Sequence, residues 1–156
     1  METGEANRQA DVLLRPAFEG IGFRRRGLLT YSLKRDKSEI LLLLGLRRDP
    51  RGYFAMAGSL GISFDQLVDL IGESGRNNIH LNIPFHLTGG DHSFKEWNFS
   101  NHSQLEVTVS EIMCVITDWV IPFADRNDSL EKMCIRLESL EPKDWYALTP
   151  TSPRFQ

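Results

Sequence analysis

Apolar residues recur at Ala10, Leu14, Ala17 and Ile21, spaced by four, three and four, which predicts a helix with one buried stripe. Pro16 lacks an amide hydrogen and crowds the carbonyl four residues back, so a kink or a helix start is expected there, with Gly20 and Gly22 ending the helix. The stretch from Gly20 to Ile62 then reads as three consecutive strands. In the first, Leu28 to Lys34, Leu29, Tyr31 and Leu33 alternate with Thr30, Ser32 and Lys34. In the second, Glu39 to Leu46, both faces are apolar, which belongs in the middle of a sheet. In the third, Tyr53 to Ile62, Phe54, Met56, Leu60 and Ile62 share one face while Ala55, Ala57, Ser59 and Gly61 share the other. Small residues along a whole face let another element approach closely, so either a packed helix or a shallow groove is expected on it.

Ser63-Phe64-Asp65-Gln66 has capping-box spacing and predicts a short helix to Ile71, with Phe64, Leu67, Val68 and Ile71 inward and Asp65, Asp69 and Glu73 toward water. Ile79, Leu81, Ile83 and Phe85 alternate with His80, Asn82, Pro84 and His86, predicting a strand that Pro84 confines to an edge or makes irregular. Thr88 to Asp91 is read as a turn, and Phe94 to Phe99 as a further strand. A second capping box at Ser103 to Glu106 opens a helix with Leu105, Val109, Ile112, Met113, Ile116 and Trp119 inward, ending at Pro122. Asp128 is expected to cap a last helix with Leu130, Met133, Cys134, Leu137 and Leu140 inward. The order α-βββ-α-(ββ)-α-α gives an α+β fold, an antiparallel meander packed against helices. Residues 1–156 are expected to form a single domain, with 1–6 and 150–156 expected to fray.

At 156 residues and 41% hydrophobic content, the chain is long enough for a core without staples. Cys114 and Cys134 are accordingly read as reduced core residues. The start METGEANRQAD has neither the basic opening nor the apolar stretch of a signal peptide, and no uninterrupted apolar run approaches a membrane span. A cytoplasmic protein with no membrane partner is expected. Net charge is −3, but residues 1–60 hold eleven Lys/Arg against seven Asp/Glu, whereas the remainder holds seven against fourteen. Opposite-signed surfaces follow, which bears on partners.

Three groups of residues bear on function. In an antiparallel meander, Arg24, Arg25 and Arg26 are expected to enter the sheet at the end where Arg47, Arg48 and Arg51 turn the chain, placing six guanidiniums on one edge. Arginine forks suit carboxylates and phosphates; a solvated rim is the plainer alternative. Nucleic acid is disfavoured by the acidic balance and by the lack of an aromatic-rich RNA motif or basic recognition helix. His80, Asn82 and His86 on one strand face, with His92 and Asp91 beyond the turn, offer an alternative ligand or catalytic site. Their spacing matches no zinc signature, so neither metal nor cofactor is expected. Asp65, Asp69 and Glu73 form a rival acidic surface. No nucleophile elbow, phosphate loop, dinucleotide fingerprint or HExxH is present.

Leu14-Arg15-Pro16-Ala17-Phe18, then Gly22-Phe23-Arg24-Arg25-Arg26-Gly27 and Tyr31, resemble the bacterial domain-of-unknown-function family numbered four-three-zero-four over residues 10–62. Its members open with a helix, a Gly-Phe-basic step and a β-meander. Trp97 and Pro122-Phe123 correspond more loosely, and Leu43-Leu44-Gly45-Leu46 departs from a polar segment of that family. The resemblance implies no activity. In size, acidity and lack of catalytic motifs the chain is similar to immunity proteins of bacterial toxin systems. The expected function is therefore a non-catalytic module that binds another protein, most concretely a toxin.

Overall fold

The run Ile40 to Leu44, apolar on both faces, lies at the centre of a sheet, where neighbours on each side satisfy its backbone. The structure is a computed structural model that describes residues 1–71, 79–89 and 96–139. The central strand β3 (Ser38–Arg48) pairs antiparallel with β2 (Thr30–Lys34) on one side and β4 (Phe54–Phe64) on the other. The β3–β4 ladder keeps one register throughout, from Ser38 opposite Phe64 to Arg48 opposite Phe54. Beyond β4 lie β5 (Leu81–Pro84), opposite residues 59–62, and β6 (Trp97–Phe99), opposite residues 54–56. Pro84, with no amide to donate, occupies the sheet edge. The strand predicted over 79–86 is shorter, because Phe85 to Leu87 coil into a 3₁₀ turn.

The arginine triplet is itself a strand, β1 (Arg24–Gly27), pairing β2 with a bulge between Arg25 and Gly27. The alternation rule missed it because an exposed edge strand has no apolar face to repeat. Leu28 and Leu29, expected to open a strand, form the turn instead. Leu29 adopts φ 54° with its side chain buried. Such a conformation is disfavoured for a branched residue by roughly 1–3 kcal/mol, and neighbours hold it: its amide donates to Asp11 Oδ1 at 3.0 Å, and its carbonyl accepts from Leu44 N at 3.0 Å.

Helices cover one face of the sheet, giving an α+β single domain. The first, α1 (Thr3–Gly20), presents Ala6, Ala10, Leu14 and Phe18 to the core, leaving Ile21 outward. Pro16 lies inside α1, on its exposed side, and the carbonyl it leaves unbonded belongs to exposed Val12, where water serves. After β4 comes α2 (Asp65–Ile71). Its expected capping box is not the start of the helix, since Ser63 belongs to β4. The Phe64 and Asp65 amides donate to His80 Nδ1 and to the Lys37 carbonyl.

The next helix, α3 (His102–Val115), is capped two residues earlier than expected: Asn101 Oδ1 accepts from Gln104 N at 3.0 Å, and Gln104 Oε1 accepts from Ser100 N at 2.7 Å. It continues through a π turn, Ile116–Val120, into α4 (Ile121–Arg126), so Pro122 does not end it. A wide turn releases i→i−4 bonds just before the proline, which then occupies the first turn of α4, where its missing amide is harmless. The extra residue of that turn moves the buried stripe to Ile112, Val115, Ile116 and Val120, leaving Trp119 half-buried. By length and mean hydropathy, 1.5, the stretch 102–126 is long and apolar enough to cross a membrane; its inner stripe belongs to the core under the sheet.

The last described helix, α5 (Leu130–Ser139), is capped by Ser129 Oγ, which accepts from Lys132 N at 3.3 Å, while Asp128 pairs with the Lys132 side chain. Cys114 and Cys134 are free thiols but exposed, because the buried positions of their helices are Ile112, Val115 and Met133. Leu140 lies outside the described residues.

Candidate functional site

Strand register separates the six arginines. Arg24 is opposite Ser32, and Ser32 is opposite Leu41, whereas Arg48 stands seven residues further along β3, roughly 24 Å at 3.4 Å per residue. The expected common edge does not form, because β1 lies across β2 from the first half of β3 and the other three arginines gather at the far end of β3.

Most are also engaged by carboxylates. Arg25 Nε donates to Asp11 Oδ2 at 2.8 Å, and Arg26 lies 3.8 Å from Glu39. Arg47 contacts Glu96 at 3.0 Å and Asp49 at 3.4 Å. Arg51 bonds Asp49 Oδ1 through its backbone amide at 2.9 Å and through Nε at 3.0 Å, and its guanidinium stacks over Tyr53. Among the described residues, Arg24 and Arg48 make no ion pair.

These pairings move protons. The side-chain and backbone bonds from Arg51 hold the Asp49 carboxyl well below the carboxylate range. Burial pushes the Asp11 carboxyl up, but bonds from Tyr31, Leu29 and Arg25 outweigh it and leave it lowered. Burial and the Asp11 contact push the Tyr31 hydroxyl far up. A carboxylate whose folded pKa is depressed contributes stability above its unfolded value and loses it as pH falls through the folded one. Acid unfolding is therefore expected to begin as pH drops below about 3.8, the ordinary value, and Asp49→Asn should flatten that limb in a circular-dichroism pH titration. An unchanged limb would mean that Asp49 titrates normally.

Among the described residues, the helices pack on the other face of the sheet from the small-residue one. Register places Leu43 and Gly45 of β3, Ala57 and Ser59 of β4, and Asn82 and Pro84 of β5 side by side on it. With His86 just beyond, they line a groove of about 520 Å³. Ile79 reaches over one end, where a Cβ at Gly61 would meet it at 3.1 Å. Among the described residues no helix packs on the groove floor, and Leu41 and Ala55, though buried, lie outside the core cluster. Arg24 and Arg47 rise from this same face, as the pairing of Arg24 with Ser32 and the parity of β3 require, and Arg26, at the bulge, lies 3.8 Å from Glu39 of β3.

The histidines divide as well. His80 Nδ1 accepts from Phe64 N at 2.9 Å and its ring stacks on Phe64, so it serves the β4–α2 corner. His86 and Asn82 do come together, at the groove wall. Asn82 Oδ1 is buried and has no hydrogen-bond partner among the described residues. His92, Asp91 and Glu73 lie outside the described residues. Among those described, no group of three His, Cys, Asp or Glu is placed to hold a metal.

On the acidic surface, Asp65 is tied to Lys34 Nζ at 2.6 Å, while Asp69 is exposed. Both line a smaller cleft, of about 260 Å³, with Asp36, Lys37 and Glu131. Sequence reasoning named the arginines, Asn82 and His86 as site residues but not Gly45, Ala57 or Ser59, although the alternation of Ala57 and Ser59 with larger neighbours had already marked the face. The chain matches no family model, no curated protein and no solved structure.

Proposed function

We propose that the protein is a non-catalytic binding module whose small-residue sheet face, on which no described helix packs, docks on another protein, most concretely as an immunity-type protein that occludes a toxin. The observation that supports this reading is the small-residue groove on that face, with Arg24 and Arg47 on the same face of the sheet. A floor of Gly45 and Ala57 admits a large apolar side chain of the partner close to the backbone. The exposed Arg24 guanidinium, which makes no ion pair among the described residues, suits a carboxylate of the partner, and such charge speeds encounter by steering. The β1–β4 meander also keeps the proposed kinship with the bacterial family described above in play, without adding an activity.

Capture from lysate of the source cell at moderate salt tests this, comparing the wild type with Ala57→Arg. Ala57 is exposed, so the variant is expected to fold while its long side chain fills the groove. A stoichiometric protein retained by the wild type and at least tenfold depleted with Ala57→Arg is the expected result. Equal retention by a folded variant would remove the groove from the interface.

One observation favours a second reading, a small-ligand site: the unpartnered Asn82 Oδ1 beside His86 at the groove wall. That reading expects native mass spectrometry of the purified protein to show a retained small molecule, lost on Asn82→Ala. Protein capture would then survive the substitution.

A further inference from the structure

An imidazole is built into the corner where β4 becomes α2. Phe64 ends β4, and its amide donates to His80 Nδ1 at 2.9 Å. The His80 amide in turn donates to the Ile62 carbonyl at 2.9 Å, so His80 is bound to β4 by both backbone and ring. Its ring lies nearly parallel to that of Phe64, centroids 6.3 Å apart. With Nδ1 accepting, the single proton of the neutral ring sits on Nε2. Capping at this corner does not come from the Ser63 box, so the imidazole takes the place of a cap.

We propose that this corner is a pH-sensitive latch, in which protonation of His80 breaks the bond to Phe64 N and releases α2 from the end of β4. Imidazolium carries N–H at both nitrogens, so Nδ1 would face the Phe64 amide donor to donor. The charged groups of the described elements meeting here are Lys34 of β2, Arg35, Asp36 and Lys37 of the β2–β3 turn, Glu39 of β3, Asp65 and Asp69 of α2, and Glu131 of α5, which lines the same cleft as Phe64. Lys34 and Asp65 are bound to one another, and the Lys37 carbonyl takes the Asp65 amide at 3.1 Å. Burial holds the His80 pKa below its ordinary 6.5.

A base with a depressed folded pKa is penalised as the opened state takes up its proton. The latch is therefore fully closed above pH 6.5 and weakens as pH falls from there toward the folded value. This window lies well above the one in which Asp11 and Asp49 titrate. Opening would reshape the acidic cleft, because α2 supplies its Asp65, Gln66 and Asp69.

Amide hydrogen exchange at pH 7.5 and 5.5, corrected for intrinsic rates, tests the latch in the wild type, His80→Asn and His80→Ala. Asparagine Oδ1 occupies the place of Nδ1 and accepts at both pH values. Protection of the Phe64 amide and of α2 is expected to fall about tenfold in the wild type between the two pH values, to hold in His80→Asn, and to be low throughout in His80→Ala. Equal wild-type protection at both pH values, or the same fall in His80→Asn, overturns the proposal. Should a variant fail to fold, an NMR titration of the wild type decides: the Phe64 amide shift must follow the His80 ring with one midpoint below 6.5, and independent midpoints reject the latch.

Discussion

Asp11→Ala is expected to lower the unfolding free energy by roughly 2–4 kcal/mol, because two buried donors, the Leu29 amide and the Tyr31 hydroxyl, lose their acceptor at about 1–3 kcal/mol each, while the exposed Arg25 is left to water. Asp11 is 7% exposed, and its carboxylate answers three donors at once: Arg25 Nε at 2.8 Å, Leu29 N at 3.0 Å, and the Tyr31 hydroxyl. Tyr31 is completely buried, so its hydroxyl would be left in the core beside an orphaned amide. The lost bonds also release Leu29 from its left-handed conformation and with it the β1–β2 turn. Urea unfolding reads the effect as a shift of the midpoint at constant slope. Tyr31→Phe should lose less, about 1–2 kcal/mol, because Arg25 and Leu29 still occupy the carboxylate. A loss below 1 kcal/mol for Asp11→Ala would show that the cluster is ornamental to stability.

Gly58→Ala is expected to destabilise by roughly 1–3 kcal/mol through overpacking. Gly58 sits on the core side of β4, in the same parity as Met56 and Leu60, and a Cβ there would fall within the Phe85 ring. Phe85 is 1% exposed and cannot swing into water without emptying its site. The ring and the 3₁₀ turn carrying it must shift, and with them Asn82, Pro84 and His86, which wall the groove. Partner capture should weaken along with stability. Phe85→Leu removes the obstructing ring, so the double variant should recover part of the loss, with a coupling above 0.5 kcal/mol between the two sites. A strictly additive cycle would mean that the glycine and the ring are not in conflict.

The two functional surfaces differ in how readable they were. The groove was written in the alternation of Ala55, Ala57, Ser59 and Gly61, because a strand's period of two assigns faces without any knowledge of neighbours. Whether a helix covered that face depended on where distant segments pack, and no local pattern encodes this. The arginine cluster was misplaced for a related reason. Three consecutive arginines carry no face, so their strand was invisible, and its partner's register decided which carboxylates they meet: Asp11 from α1 and Glu39 from β3. His80 looked like a site residue because its spacing from Asn82 and His86 was regular; the fold gave it to the Phe64 amide.

Local periodicity and composition, then, sufficed for the α+β class, the central β3, the inward stripe of β4, the edge position of Pro84 and the turns between them. Each rests on an interaction that closes within a few residues or on the bare alternation of burial. Helix limits around Pro16 and Pro122, the corner ahead of α2, and the outward cysteines were settled by tertiary structure. Water at an exposed carbonyl, a wide turn ahead of a proline and a histidine sixteen residues downstream each overrode the local rule. The pairing of charges was likewise a tertiary outcome, since an ion pair needs two side chains within about 4 Å, and only the register of the sheet brings Arg47 to Glu96 or Lys34 to Asp65.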